Sequence, residues 1–261
     1  MSVDPRSIMA QDLSRGWLAA VSFLVDQPKQ KAVHLLVRIL DPIAEDLAVR
    51  EAVQTLISTR NKGRKEKDRM PDIETTRNTI FPASWAARHP KPADLAAHYR
   101  ERYTKDGLRG FPGNGDGTYF GRIVSYPRSD ADIVEESSDQ LSETVRKLLV
   151  ELNTRQAKGS RYEINIYCER LDRGAMSFPC LAHASVHLHE GKLHMQAIYR
   201  NEYLLARGYG NFLGLAELQQ YIAAAVDLPV GELLMTIGHA ELDAPKTAIR
   251  ELLGRFAVAD S

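Results

Sequence analysis

The segment LAHASVHLHEGKLHMQAIYR (181–200) constrains the fold more than any other. Two strand-like runs flank a Glu-Gly-Lys turn, which predicts a β-hairpin with strands over 181–189 and 193–200. Arg200 and Cys180 lie on either side of that turn, so antiparallel pairing brings their neighbourhoods together. Cys180 follows a proline and sits at the entrance to the first strand. A guanidinium near a thiol favours the thiolate. The same guanidinium could hold a phosphate. Arg161 and Arg207 would add charge if they converge there. Taken alone, a free cysteine in such a place is more often a buried filler than a nucleophile.

Around this hairpin the chain alternates helical and strand-like stretches. Residues 12–25 carry Leu13, Trp17, Val21 and Leu24 at helical spacing, and 31–40 reads as a strand closed by Asp41-Pro42. Helices are expected over 44–58, within 78–103, and over 139–152, 214–228 and 244–256. Residues 161–169 read as a strand, and 231–243 carries a short strand near its centre. The stretch 107–123 is rich in glycine and reads as a loop. It matches neither GxxxxGK[ST] nor GxGxxG, so it carries no phosphate-loop signature. The run 59–72 holds six basic residues between Arg60 and Arg69 and predicts an exposed, flexible basic loop. The expectation is one α/β (α+β) domain over 1–261.

Composition narrows the function classes. The formal net charge is zero, which argues against a global attraction to nucleic acid or to a membrane surface. A local RNA contact through 60–69 would show as a steep salt dependence. Two cysteines, Cys168 and Cys180, form neither a CxxC pair nor a disulfide framework. The start has no basic region followed by an apolar core. The run WLAAVSFLV is 9 residues long, too short to span a bilayer. The expected location is cytoplasmic, with free thiols.

From 139 to 243 the chain resembles thymidylate synthase and the related pyrimidine nucleotide hydroxymethylases. DQL followed by a helix and then SRYEINIY is similar to the family's DQL helix and following DSRR strand. AMSFPC resembles its nucleophile motif, and EGKLHMQAIYRNEY its GKLxCQLYQRSxD segment. GNFLGLAELQQYIAAAVDLPVGELLMTIGHAELD resembles the helix and strand that follow. The spacing agrees without a gap from Cys180 to Asp243, and the similar region covers roughly 40% of the chain. Before residue 139 the likeness is loose: GTYFGRI (117–123) stands near the family's GPVYGxQWR. LAVREAVQTLI (47–57) stands near the helix of its catalytic glutamate, with Glu51 in that place.

The resemblance implies a mixed sheet with flanking helices, one sheet face forming a homodimer interface. It implies that Cys180 adds to carbon 6 of a pyrimidine nucleotide, activating carbon 5 towards a one-carbon donor. Arg161 and Arg200 match phosphate-binding arginines, Arg161 reaching across the dimer, and Asn201 matches a phosphate-binding serine. Asn211 matches the asparagine that reads the base edge. Its amide offers donor and acceptor together, which suits a uracil-type ring; cytosine-specific relatives place an aspartate there. The implied donor is 5,10-methylenetetrahydrofolate, and no metal is implied.

The pattern also breaks. Tyr162 replaces a second arginine, Leu181 replaces the histidine after the nucleophile, and Tyr203 replaces the aspartate that contacts folate. Glu241 and Asp243 stand where a histidine and a tyrosine hold the sugar hydroxyl. They can accept hydrogen bonds from a sugar but would repel a nearby phosphate. The chain ends shortly after Asp243, whereas the family continues into a tail that closes over folate and substrate. Two functions follow: methylation or hydroxymethylation of carbon 5, or nucleotide binding without folate chemistry, in a sensor or assembly role.

Other constellations weigh less. His183, His187 and His189 share one strand face and, with His194, could form a metal site; on the face opposite Cys180 they also suit a dimer interface. Glu45 and Glu51 are six residues apart on one expected helix, which points them to different faces.

Overall fold

The structure is a computed structural model that describes residues 4–105, 117–127, 137–158, 162–174 and 178–256. It is a mixed α/β fold built on a seven-stranded sheet. The strands are β1 (Ser7–Asp12), β2 (Lys31–Asp41), β5 (Tyr162–Asn165), β6 (Leu181–His189), β7 (Lys192–Tyr199), β8 (Glu202–Tyr203) and β9 (Val230–Glu241). Their order is β1-β2-β9-β7-β6-β5, with β8 beside β9. A separate two-stranded ribbon pairs β3 (Tyr126–Pro127) with β4 (Ser137–Ser138).

The helices are α1 (Leu13–Val25), α2 (Leu47–Asn61), α3 (Ile73–Ile80), α4 (Ala83–Ala86), α5 (Pro92–Lys105), α6 (Tyr119–Val124), α7 (Gln140–Asn153), α8 (Tyr209–Ala225) and α9 (Lys246–Phe256). Side-chain caps explain several starts: Asp12, Asp46, Asp72, Thr118 and Asp139 each accept a backbone N–H of the first turn.

The expected hairpin is β6–β7. Glu190 and Gly191 form its two-residue turn with φ of 49° and 72°, as a tight hairpin turn of this hand requires. β7 and β9 run parallel, which demands a crossover between them, and α8 supplies it.

Pleat alternation assigns the two faces of the sheet. Leu35, Val37 and Ile39 of β2, Leu193, Met195 and Ala197 of β7, and Leu233, Met235 and Ile237 of β9 are all buried. Helices α1, α7 and α8 contact the strands. Trp17 of α1 is fully buried there, and its Nε1–H donates to the Leu204 carbonyl at 2.8 Å. The opposite face carries a row formed by Leu36, Thr236, Ile198, His183 and Asn165, each opposite the next across β2, β9, β7, β6 and β5.

Three expectations change. Residues 230–241 form one long strand rather than a short one, because β9 is central and pairs with β2 on one side and β7 on the other. α8 begins at Tyr209, not 214, because its glycines serve packing. A Cβ on Gly210 would stand 2.7 Å from the Ile73 carbonyl, so glycine lets α3 lie directly on α8. The glycine-rich stretch ends in helix α6, capped by Thr118; its part over 107–116 lies outside the described residues.

Within the basic stretch 59–72, α2 continues to Asn61, and Glu66–Asp68 makes a 3-10 turn. The Asn61 side chain closes the stretch by bonding the Met70 N–H and carbonyl, each at 2.8 Å. Among the described residues, no helix is long and apolar enough to cross a membrane.

Candidate functional site

Cys180 is half-buried immediately before β6. Its carbonyl accepts the Arg200 N–H at 2.9 Å, so the pairing predicted from the hairpin is direct. The register slips between Leu181 and His183, which bulges the strand just past the cysteine. On the other side of Cys180, Phe178 packs against Tyr119 of α6, with ring centroids 5.1 Å apart. Arg122 covers the Phe178 ring at 5.4 Å while paired with Asp172 at 2.7 Å. Arg122 also lines a cavity of about 350 Å³ with Tyr99, Arg100, Thr118 and Gly121.

After β7 the chain turns inward. β8 runs parallel to β9, with Glu202 opposite Ala240. This buries the Glu202 carboxyl at 2% exposure. A π-helical turn over Leu204–Gly208 follows, and α8 then carries Asn211, also 2% exposed. Asn211 Nδ2 donates to both oxygens of Glu202, at 3.0 and 3.1 Å. Asn211 Oδ1 and the Tyr199 hydroxyl are buried without a hydrogen-bond partner among the described residues.

Burial dominates the electrostatics. It pushes Glu202 up to about 8, against the opposing effects of the Asn211 hydrogen bond and Arg207, with Asp243 adding to the rise. Burial also pushes the Cys180 thiol up, and Glu202 adds to it; Arg200 and Arg207 pull the other way. Tyr119 and Tyr199 are raised for the same reason, and both feel Cys180 and Glu202. Cys180, Tyr119, Tyr199, Glu202, Asn211 and Arg207 therefore form one electrostatically coupled group. Its thiol rests as the neutral form, and a nucleophilic role requires the cations to draw out the thiolate.

The other expected residues are placed as follows. Asn201 Oδ1 meets His239 Nδ1 at 2.8 Å. Glu241 pairs with Lys31 at 2.7 Å. Asp243 accepts the backbone N–H of Leu205 at 2.9 Å and that of Ala206 at 3.2 Å, so it caps the π-helical turn. Glu51 is exposed on α2, whose buried residues are Val49, Ala52, Val53 and Ile57. The carboxylate drawn inward near that helix is Glu45, held by Arg50 at 2.6 Å and by the Tyr209 hydroxyl at 2.9 Å. Arg161 lies outside the described residues.

His183 bonds Glu163 at 2.6 Å, His187 bonds Ser185 at 2.9 Å, and His194 accepts the Glu232 N–H at 3.1 Å. Among the described residues, no three His, Cys, Asp or Glu side chains gather as a metal site.

Sequence reasoning passed over Glu202. Its only local signal is a lone carboxylate between Asn201 and the apolar run that begins at Tyr203, and nothing local reveals its burial.

No family model matches the chain. The chain is 31% identical over 144 residues to a Methanocaldococcus jannaschii protein named "Putative thymidylate synthase". The match covers 54% of this chain and 62% of that protein, so the chain spans less than two thirds of its relative's length. This similarity gives weak support to a thymidylate synthase-like relationship.

Proposed function

We propose that the protein is a pyrimidine nucleotide carbon-5 one-carbon transferase with Cys180 as nucleophile. The observation that carries this reading is the grouping of Cys180 and Arg200 with Glu202, which bonds a buried Asn211 whose Oδ1 lacks a hydrogen-bond partner among the described residues. A buried polar atom left unpaired costs about 1–3 kcal/mol, which a ligand hydrogen bond would relieve. The similarity to the M. jannaschii protein points the same way.

In this reading the Cys180 thiolate bonds to carbon 6 of the ring. The electron pair of the 5,6 double bond passes into the ring carbonyl system, and carbon 5 becomes nucleophilic. Arg200 and Arg207 favour the thiolate and attract the nucleotide phosphate; Arg161 and Asn201 complete phosphate binding, and Glu241 and Asp243 border the sugar. The base is of the uracil type, read by Asn211.

The one-carbon donor is a separate question. The resembled family holds folate through an aspartate, where this chain has Tyr203. The nearby carboxylate, Glu202, is engaged with Asn211. Tyr203 offers no carboxylate, so a folate donor would be held here without that contact.

The same protein acts as a homodimer with the open sheet face as its interface. That face exposes Ile198 at 38% and Leu36 at 36%, apolar surface that a second copy would cover.

A second reading, nucleotide binding without one-carbon chemistry, draws on the raised Cys180 thiol and the exposed Glu51. Tritium release from carbon 5 of labelled uridine and cytidine nucleotides separates the two. The assay runs with and without methylenetetrahydrofolate, on the wild type and Cys180→Ser. Release that depends on Cys180 is expected. Nucleotide binding with no release from any substrate would overturn the transferase reading and leave the second.

A further inference from the structure

We propose that the basic loop over 60–69 docks the phosphate backbone of a nucleic acid, by charge and without reading bases. The inference does not rest on the chemistry assigned to Cys180.

Six residues of this stretch are cationic, Arg60, Lys62, Arg64, Lys65, Lys67 and Arg69, against two acids, Glu66 and Asp68. The whole chain has a formal net charge of zero, so the rest of it is net acidic. That separation of charge turns the loop towards a polyanion and the remainder away from it.

Elsewhere on the surface cations are neutralised in place. Arg38, Arg50, Arg77, Arg122 and Arg250 each face a carboxylate. Among the described residues, none of the six loop cations takes part in an ion pair. Arg64 and Arg69 direct their guanidinium groups at backbone carbonyls instead. Arg64 Nη1 donates to the Asp68 carbonyl at 3.4 Å, and Arg69 Nε donates to the Arg64 carbonyl at 3.2 Å. These bonds brace the loop and leave both charges uncompensated. Lys62, Lys65, Lys67 and Arg69 are exposed, and Arg60 and Arg64 are half-buried.

The loop has a held shape. The Asn61 side chain bonds the Met70 N–H and carbonyl, each at 2.8 Å, and closes it at the base. Gly63 turns the chain with φ of 76°, and Glu66–Asp68 forms the 3-10 turn. The Ile73 N–H donates to Gln54 Oε1 at 3.0 Å, which ties the exit of the loop back to α2. A loop closed in this way presents its charges already arranged, so less ordering entropy opposes binding.

Composition selects the partner. No aromatic and no aliphatic side chain lies between Arg60 and Arg69. A protein interface needs an apolar core, which this loop cannot supply. Stable attachment to a lipid surface needs a second, apolar anchor beside a polybasic patch. Base stacking needs an aromatic platform. Phosphate contact needs only cations, and it positions a strand without specifying its sequence.

The test is fluorescence anisotropy of labelled poly(U) and poly(A) titrated with the full chain between 50 and 200 mM KCl. It compares the wild type with a variant that combines Lys62→Gln, Lys65→Gln and Lys67→Gln. The structure gives these three side chains no hydrogen bond among the described residues, so the Asn61 clamp and both arginine braces stay in place.

Poly(U) and poly(A) should bind alike. With four exposed cations, log K of the wild type should fall against log salt with a slope of about −3, and the variant's slope should be shallower by about 2. At 50 mM KCl the variant should bind more weakly by about tenfold or more. No binding by the wild type, or the same slope in both proteins, overturns the proposal. Tighter binding to poly-glutamate or to phosphatidylserine vesicles than to poly(U) also overturns it, and names an acidic chain or a lipid surface as the partner.

Saturating uridine monophosphate should leave poly(U) bound. Displacement would place the strand at the candidate nucleotide site and overturn the assignment to the loop. The wild-type slope and this competition decide the matter even if the variant fails to fold.

Discussion

The Arg200 backbone donates to the Cys180 carbonyl at 2.9 Å, which fixes a thiol and a guanidinium-bearing residue side by side at the end of the β6–β7 hairpin. Because a backbone bond makes this juxtaposition, it survives side-chain substitution. Cys180 rests neutral because burial and Glu202 outweigh Arg200 and Arg207. Arg207→Gln should therefore raise the thiol further and slow its alkylation at neutral pH, without changing the fold. A pH series of iodoacetamide labelling at Cys180 checks this; equal rates in the variant and the wild type would remove Arg207 from the site.

Glu202 should also mark the pH dependence of stability. Its folded value, about 8, lies above its ordinary carboxylate value. Between those values the folded state binds more protons than the unfolded one, so stability falls as pH rises across that window and levels off above it. Asp243 is raised as well, mainly by burial, and contributes in the same direction. The steepest slope is about 1.4 kcal/mol per pH unit for one group. Urea unfolding at pH 5.5, 7 and 8.5 should show a shallower decline for Glu202→Gln than for the wild type.

Tyr209 joins α1, α8 and the start of α2. Its hydroxyl accepts from Ser14 at 2.8 Å and donates to Glu45 at 2.9 Å. Tyr209→Phe leaves both partners short of a bond and should cost about 1–3 kcal/mol. The denaturation midpoint reports it. An unchanged midpoint would mean that Arg50 alone satisfies Glu45.

Two glycines separate backbone strain from packing. Gly191 has φ of 72° and open space around it, so Gly191→Ala pays only for the left-handed conformation, about 1–2 kcal/mol. Gly210 has an ordinary helical backbone, but a Cβ there would reach 2.7 Å from both the Ile73 carbonyl and the Thr76 Cβ. Gly210→Ala must push α3 away from α8 and should cost more than Gly191→Ala. Thermal melts of the two variants rank them.

The open sheet face predicts self-association. Light scattering of the wild type should give a dimer, and Ile198→Glu should give a monomer with an unchanged circular dichroism spectrum. A monomeric wild type at high concentration would mean that another surface, or none, pairs the chains.

Elements whose signal is local are legible in the amino-acid order. Apolar residues at helical spacing announce α1 and α7, and alternation around Glu190-Gly191 announces β6 and β7 with the Cys180–Arg200 juxtaposition. Tertiary structure decided what depends on distant partners. β1 shows only Ala10 buried and exists as a strand because β2 pairs with it. β9 is long because two neighbours complete its hydrogen bonds. Glu51 faces solvent while Glu45 turns inward, since Arg50 and Tyr209 are there to meet it. Asp243 accepts backbone N–H groups nearly forty residues away in sequence, a contact that no local pattern announces. Glu202 and Asn211 are nine residues apart, separated by a π-helical turn that no periodicity announces. A hydrogen bond between side chains that far apart depends on where burial leaves each of them, and only the folded chain defines that.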